Sequence, residues 1–245
     1  MAPSNPGLII TGTDTGAGKT AVACALIRTL RRHGIAAVAC KPVETGCGSV
    51  DGRLHPADGA ALRAAADDAL SLEEVCPVRF AVTAAPLRAA REIGAAVDVA
   101  AMTAAVAHLR AAHPFTVVEG VGGVAVPLTA DVTLRDWFST LGLPSLVVTT
   151  PRLGTLNHTW LTVHALRAAA IPVIGLVVNR VTAVENDPAV AHAVNDLATF
   201  TGLPILGRLP EVADPAAATT RERLADCLDW QAIRRAAQAV ADRAP

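Results

Sequence analysis

The chain has 245 residues, of which 52% are hydrophobic and 18% charged, and its formal net charge is −1. This balanced charge, without a long basic block, argues against a nucleic-acid-binding protein. The five cysteines form no Cys-x-x-Cys pair, which argues against a zinc site or a disulfide framework and favours buried thiols in a reducing compartment. The first residues lack the features of a signal peptide and no apolar run is long enough to cross a membrane, so we expect a cytoplasmic protein without a membrane partner.

Short apolar runs alternate with longer helical patterns along the chain. Runs rich in valine and isoleucine predict strands at 7–11, 36–40, 116–119, 145–149, 173–178 and 205–209. The segments between them predict helices at 19–33, 57–66, 98–113, 156–170, 188–201 and 229–243, and loops at 42–51 and 214–220. Gly34 is a predicted helix stop, Asp98 a predicted N-cap, and Pro188 fits a first helical turn. The alternation predicts one α/β domain over residues 1–245, a parallel sheet with helices on both faces.

The segment between the first strand and the first helix reads Gly-Thr-Asp-Thr-Gly-Ala-Gly-Lys-Thr over residues 12–20. A glycine-rich turn can direct backbone N–H groups at phosphate oxygens, and a helix N-terminus favours negative charge. Lysine and threonine at its end can reach the β/γ-phosphates and ligate Mg²⁺. The alternative is an ordinary glycine-rich turn, but strand, glycines, lysine, hydroxyl and helix coincide. The predicted nucleotide-binding residues here are Thr13, Asp14, Thr15, Gly16, Ala17, Gly18, Lys19 and Thr20.

Lys41 directly follows the second predicted strand. It and Lys19 are the only lysines of the chain, and all other strongly basic residues are arginines. Ligands of open parallel sheets bind at the carboxyl ends of the strands, where both lysines fall. We therefore predict that Lys41 shares the phosphate site, the alternative being a solvated loop lysine.

Two carboxylates are candidate metal ligands. Glu119 ends an apolar strand and precedes glycine-rich residues 120–123, so its side chain needs a partner where it is partly buried. Mg²⁺ accepts such oxygen ligands, and a structural salt bridge is the alternative. Asp58 lies early in a helix, where favourable interaction with the helix dipole is as good an interpretation as metal ligation.

Three further polar groups stand at strand ends. The Asn179 amide can read a nucleobase edge or simply form a turn. Arg152 can bind an anionic group, and Thr155 or Asn157 can cap the following helix. His158 is interpreted as an ordinary polar helix residue.

Taken together, the phosphate-loop segment 12–20, Lys-Pro-Val at 41–43, Val-Glu-Gly-Val-Gly-Gly at 118–123 and Leu-Gly-Thr-Leu-Asn-His at 153–158 resemble the dethiobiotin synthetase family, over roughly residues 7–211. The resemblance implies a P-loop NTPase-like fold and a homodimer with the substrate at the subunit interface. It also implies the joining of 7,8-diaminononanoate (7,8-diaminopelargonate) and CO₂ with ATP and Mg²⁺. A carbamate oxygen would attack the γ-phosphorus, and the second amine would then displace phosphate and close the ureido ring.

The resemblance also assigns roles by position. It implies that Lys19 and Lys41 are catalytic cations and that the Mg²⁺ ligands are Thr20, Asp58 and Glu119. The implied substrate contacts are Lys41, Thr45, Glu119, Gly122, Gly154, Leu156 and Asn157. The implied adenine pocket consists of Asn179, Pro210 and Glu211. Two features depart from the family pattern: Arg152 stands where lysine is frequent, and the sequence after Glu211 has no clear match.

Two other functions fit parts of the pattern. A regulatory or partitioning ATPase of the same superfamily usually carries an extra lysine early in the phosphate loop, where this chain has Thr13, Asp14 and Thr15. A cobyrinate-type amidating synthetase needs a glutamine-hydrolysing domain, for which the chain is too short. We therefore prefer the interpretation that the chain is a dethiobiotin synthetase.

Overall fold

The computed structural model describes residues 5–179, 188–212 and 223–243. The strands in these ranges are β1 (Gly7–Gly12), β2 (Ala37–Cys40), β3 (Val43–Thr45), β4 (Gly48–Val50), β5 (Arg53–His55), β6 (Val78–Phe80), β7 (Phe115–Gly123), β8 (Ser145–Thr149), β9 (Val173–Asn179) and β10 (Ile205–Leu209). They form a six-stranded parallel sheet with the strand order β10-β9-β8-β1-β7-β2, and two small sheets that pair β3 with β6 and β4 with β5.

Helices connect and cover the strands of the large sheet. They are α1 (Lys19–Arg32), α2 (Ala57–Ala65), α3 (Leu72–Val75), α4 (Pro86–Glu92), α5 (Val99–Ala112), α6 (Leu134–Ser139), α7 (Thr155–Ala168), α8 (Pro188–Thr201) and α9 (Trp230–Ala241). Among the described residues, no helix has both the length and the apolar character needed to cross a membrane.

The large sheet is buried on both faces. Side chains of neighbouring strand residues point to opposite faces, and Leu8, Ile9 and Ile10 of β1 are all fully buried. Aliphatic strands buried in this way are typical of parallel sheets with helices on both sides. The predicted fold class is therefore confirmed.

Most elements agree with the sequence, and the differences have local causes. Gly34 follows α1 in the left-handed conformation, and the Asp98 carboxylate caps α5, as predicted. The prediction of a loop at 42–51 was wrong, because β3 and β4 lie within that segment. Strands of three residues are too short to produce a periodic pattern in the sequence. The capping of α7 by Thr155 or Asn157 was also wrong, because its N-cap is Gly154, without a side-chain hydrogen bond. The predicted loop at 214–220 lies outside the described residues.

The strand register brings the predicted site residues to one edge of the sheet. Ile10 of β1 pairs with Glu119 of β7, and Cys40 of β2 pairs with Val118. Lys41, the next residue after β2, therefore comes beside Glu119. The phosphate loop leaves β1 at this same edge, since the strands run parallel.

Candidate active site at the carboxyl edge of the sheet

The loop between β1 and α1 leaves the start of the helix open. Gly16 and Gly18 have φ angles of +78° and +90°, a left-handed conformation that glycine adopts without strain. Gly18 is the N-cap residue of α1, no side chain caps the helix, and its first turn carries no acidic residue. The first N–H groups of α1 are thus left for an anionic ligand such as a phosphate.

Lys19 lies across this loop. It is 6% exposed, and its Nζ donates a hydrogen bond of 3.0 Å to the Asp14 carbonyl. Burial, followed by the nearby charge of Lys41, lowers the pKa of Lys19 to about 8. Its ammonium is therefore incompletely compensated, and a phosphate group beside it would supply the missing negative charge.

Four predicted residues form one contiguous polar cluster. The Lys41 Nζ donates hydrogen bonds to Asp58 Oδ2 at 2.7 Å and to Glu119 Oε1 at 2.6 Å. The Thr20 hydroxyl donates to the same Glu119 oxygen at 2.7 Å. The cluster joins the first turn of α1, the residue after β2, the middle of β7 and the first turn of α2. The prediction that Glu119 ends its strand was wrong, because β7 continues through the glycine-rich residues to Gly123.

The charges of this cluster stabilise one another. Burial alone lowers the pKa of Lys41, but its attraction to Glu119 and Asp58 outweighs burial and raises the pKa above its ordinary value. Burial likewise raises the pKa of Asp58, and the ion pair with Lys41 outweighs it, so the net shift is downward. Lys41 and Asp58 are thus both charged at neutral pH.

The donor set fits a magnesium ion shared with a phosphate. Glu119 Oε2 is buried and has no hydrogen-bond partner among the described residues, an arrangement that is costly unless a cation or a donor approaches. Within the described ranges, no group of three or more His, Cys, Asp or Glu residues could hold a metal. Two carboxylates and the Thr20 hydroxyl suit Mg²⁺, which usually completes its shell with waters and substrate phosphates.

The cluster opens into a cavity of about 540 Å³. Ten predicted site residues line it: Thr15, Gly16, Gly18, Lys19, Thr20, Lys41, Thr45, Asp58, Glu119 and Gly122. The wall also contains residues that the sequence analysis did not single out: Glu44, Thr83, Ala84, Ala85, Pro86, Val121 and Val126. Glu44 lies between the Lys-Pro-Val segment at 41–43 and Thr45, and Val121 lies within the segment 118–123, whereas residues 83–86 carry no chemical signal of their own.

The predicted adenine residues lie on the other side of the phosphate loop. The Asn179 amide donates to the Ala17 carbonyl at 3.1 Å, so it supports the loop backbone. Leu209 pairs with Asn179 in the sheet, which brings Pro210 and Glu211 to the same strand end. The three residues are thus neighbours, although they do not line the large cavity.

Two links join the phosphate loop to the start of α7. The Thr149 hydroxyl lies 2.9 Å from those of Thr155 and Thr159, and Thr13 donates to it at 3.4 Å. At the surface, Arg152 donates to Asp14 Oδ2 at 2.7 Å, and this hydrogen bond is the main reason that the pKa of Asp14 is lowered. The anionic partner of Arg152 in this structure is therefore a residue of the loop itself.

Comparison with known proteins shows the family of this chain. A model of the AAA domain matches residues 6–219. The ATP-dependent dethiobiotin synthetase of Anaeromyxobacter dehalogenans strain 2CP-C is 46% identical over 210 residues, which are 86% of this chain and 92% of that protein. The enzyme of the same name from Pseudomonas paraeruginosa is 37% identical over 223 residues, 89% of this chain and 96% of the relative. The chain belongs to the dethiobiotin synthetase family.

Solved structures of other proteins resemble this dethiobiotin synthetase family member in fold only. A ParA family ATPase from Chlorobium tepidum matches with a TM-score of 0.54 at 15% identity, covering 98% of both chains. The MinC:MinD cell division complex of Aquifex aeolicus also matches with a TM-score of 0.54, at 12% identity over 98% of this chain and 97% of that one. The P-loop NTPase-like architecture is confirmed.

One segment quoted for the dethiobiotin synthetase family lies apart from the cavity. Gly154 and Asn157 are exposed at the start of α7, Leu156 is half-buried, and none of them lines the cavity. In this conformation, these residues therefore do not contact a substrate bound in the cavity of their own subunit.

Proposed function

We propose that this chain closes the ureido ring of dethiobiotin from 7,8-diaminononanoate and CO₂, with ATP as the phosphoryl donor. The observation that carries the proposal is the convergence of Lys19, Lys41 and the Thr20–Asp58–Glu119 donor set on one cavity at the phosphate loop. A site that binds a triphosphate beside a second, buried ammonium group suits the activation of an anionic co-substrate.

The phosphate loop and the donor set position the triphosphate. The open N–H groups of α1 and the Lys19 ammonium bind phosphate oxygens, and Asn179 holds the loop backbone in place. Thr20, Asp58 and Glu119 would hold Mg²⁺, which neutralises charge on the phosphoryl oxygens when bound.

Lys41 and Thr45 face the reacting carbamate in this proposal. One amine of diaminononanoate first adds to CO₂ and loses a proton, which gives the carbamate. A carbamate oxygen then attacks the γ-phosphorus with ADP as the leaving group, which gives a mixed carbamic–phosphoric anhydride. The second amine then attacks the carbamate carbon, phosphate leaves, and the ring closes. The Lys41 ammonium is held by two carboxylates and stabilises the charge that develops between carbamate and phosphate, while the cavity supplies orientation.

We also propose a homodimer in which the start of α7 completes the site of the other subunit. Gly154, Leu156 and Asn157 lie outside the cavity of their own subunit. Large apolar side chains lie exposed in and near the same region: Leu153 is 86% exposed, and Leu161 and Phe200 are 52% and 57% exposed. An apolar surface of this kind is typical of a protein interface.

The cytoplasm is the proposed compartment. All five cysteines are free thiols in the structure, three of them buried, which suits a reducing environment. The proposed partners are the small-molecule substrates and a second copy of the chain.

One assay tests the reaction. The protein is mixed with diaminononanoate, bicarbonate, Mg²⁺ and, in turn, ATP, CTP or GTP, and released phosphate and ring product are both measured. We expect equal amounts of phosphate and dethiobiotin, and neither without diaminononanoate. Phosphate release that does not require diaminononanoate would instead favour a regulatory ATPase.

Mixing two inactive variants tests the shared site. Lys41→Ala disables the cavity and Asn157→Ala alters the segment proposed to reach the partner. If each site uses both subunits, a mixed dimer contains one intact site, so exchange of subunits should restore about a quarter of the wild-type activity. A mixture as inactive as its components would contradict the shared site.

A further inference from the structure

The helix that carries Asp58 begins without a cap of its own. The N-cap residue of α2 is Pro56, whose side chain makes no capping hydrogen bond. The first N–H groups of a helix have no partner within the helix, and near the interior they need acceptors. The N–H groups of Asp58 and Gly59 therefore need partners from elsewhere.

Glu44 supplies both partners from a different element, β3. Its Oε1 accepts from the Asp58 N–H at 3.1 Å, and its Oε2 accepts from the Gly59 N–H at 2.9 Å. Glu44 is only 5% exposed, so its carboxylate lies in the wall of the cavity and not in bulk water. Both oxygens of a buried carboxylate are thus committed to the first turn of one helix.

This arrangement determines what the Asp58 carboxylate does. An acidic residue in the first turn usually interacts with the N–H groups and dipole of its own helix. Here Glu44 already occupies those N–H groups, and the Asp58 carboxylate turns to the Lys41 Nζ at 2.7 Å.

The same helical turn is also confined by packing. A Cβ atom on Gly59 would lie 3.0 Å from the Cys76 Cβ and 3.3 Å from the Pro56 Cγ. The backbone at Gly59 therefore approaches its neighbours closely on one side, while Glu44 holds its N–H group. Together the two contacts leave the start of α2 little room to shift.

We propose that Glu44 is a positioning residue for the metal site: by binding the first turn of α2 it frees the Asp58 carboxylate and directs it at the cation. The inference rests on the proposed function, in which Asp58 helps to hold Mg²⁺. Glu44 acts through Asp58 and touches no reacting atom.

Glu44→Gln tests this role with little change of shape. Glutamine keeps one acceptor oxygen but places an NH₂ donor against one of the two N–H groups. The readout is Mn²⁺ affinity, measured by electron paramagnetic resonance on protein with a non-hydrolysable ATP analogue and without diaminononanoate. We expect about 10-fold weaker Mn²⁺ binding, since loss of groups that orient metal ligands typically costs 10- to 100-fold. Analogue affinity in EDTA should stay unchanged.

Asp98→Asn is the matched control. The Asp98 carboxylate also caps a helix, α5, by accepting from the Ala101 N–H at 2.8 Å, and it lies outside the cavity wall. The control should change thermal stability little, since asparagine caps a helix about as well as aspartate, and it should leave Mn²⁺ affinity within twofold of wild type. Glu44→Asp keeps the charge and shortens the side chain, so it should also weaken Mn²⁺ binding. This variant serves as the test if the Glu44→Gln protein folds poorly.

A double-mutant cycle tests whether the effect passes through Asp58. If it does, Glu44→Gln adds little to Asp58→Asn, and the double variant binds Mn²⁺ about as weakly as Asp58→Asn alone. Independent, additive losses would overturn the positioning role, as would wild-type Mn²⁺ affinity in Glu44→Gln or an equal loss in the Asp98 control. Wild-type protein that binds no Mn²⁺ with the analogue would overturn the magnesium site itself, and Glu44's role with it.

Discussion

Replacing Lys41 with methionine removes the ammonium from the site and keeps much of the side-chain volume. Lys41 is 3% exposed, and the Glu119 side chain that it pairs with is fully buried. In the variant, the Thr20 hydroxyl is the one hydrogen-bond partner that the described part of the chain leaves to Glu119, and a second carboxylate, Asp58, lies nearby. Removing one partner of a buried ion pair costs about 3–5 kcal/mol because the other charge is left uncompensated. We expect a loss near 3 kcal/mol, since the Asp58 side chain is 43% exposed and water can solvate it.

Urea unfolding in EDTA measures this loss, with Lys41→Met/Glu119→Gln as the second variant. The double variant removes the uncompensated charge as well, so most of the free energy of unfolding should return. A Lys41→Met protein that unfolds within about 1 kcal/mol of wild type would refute the idea that the ammonium is the counter-charge of Glu119. In the phosphate-release assay the same variant should be slower by about 100-fold or more, and near-normal kcat would remove Lys41 from the chemistry.

Three further perturbations follow from the site. Glu119→Gln should raise the Mg²⁺ concentration that gives half-maximal rate, and an unchanged titration would leave Glu119 a purely structural role. Gly18→Ala places a Cβ 1.8 Å from Asn179 Nδ2 at a φ of +90°, so calorimetry should show lower stability, by more than about 1 kcal/mol, and weaker ATP binding. Binding of ATP in EDTA at pH 8 to 9 should take up a proton, because the pKa of Lys19 is about 8 and phosphates favour its charged form. Calorimetric titration in buffers of different ionisation enthalpy measures that uptake, and Lys19→Met should abolish it. The affinity for ATP should also fall as the pH rises through this range.

The large sheet and the convergence of its strand ends could be predicted because their signals are local. Each long strand is a run of aliphatic residues between helical patterns, and parallel strands must present their carboxyl ends at one edge. That rule alone placed Lys41 near Glu119, and the register of β2 on β7 confirms it. By contrast, β3 and β6 have three residues each, and their pairing depends on the tertiary fold rather than on a periodic pattern.

Other parts of the site depend on contacts that no local pattern encodes. Glu44 is adjacent to a predicted substrate residue, but its partners are backbone N–H groups 14 and 15 residues away. From the sequence, Asp58 could equally well interact with its helix dipole or ligate a metal. The position of Glu44 on the first N–H groups of α2 favours metal ligation. The salt-bridge alternative for Glu119 accounts for one of its two oxygens. Oε1 pairs with Lys41, whereas Oε2 has no partner within the ranges that the structure describes.

The charges of the cavity bear on the order in which metal and nucleotide enter. The cavity wall holds two ammonium groups, Lys19 and Lys41, and three carboxylates. Glu44 is committed to the first N–H groups of α2, so the two lysines nearly balance the two carboxylates left for a cation, Asp58 and Glu119. A divalent cation entering alone would meet carboxylates that Lys41 already neutralises, and it would be repelled by both lysines. A triphosphate entering with the cation brings enough negative charge to attract all three positive groups. We therefore expect Mg²⁺ to bind weakly to the protein alone and strongly together with ATP, and equal Mn²⁺ affinity with and without a nucleotide analogue would contradict this argument.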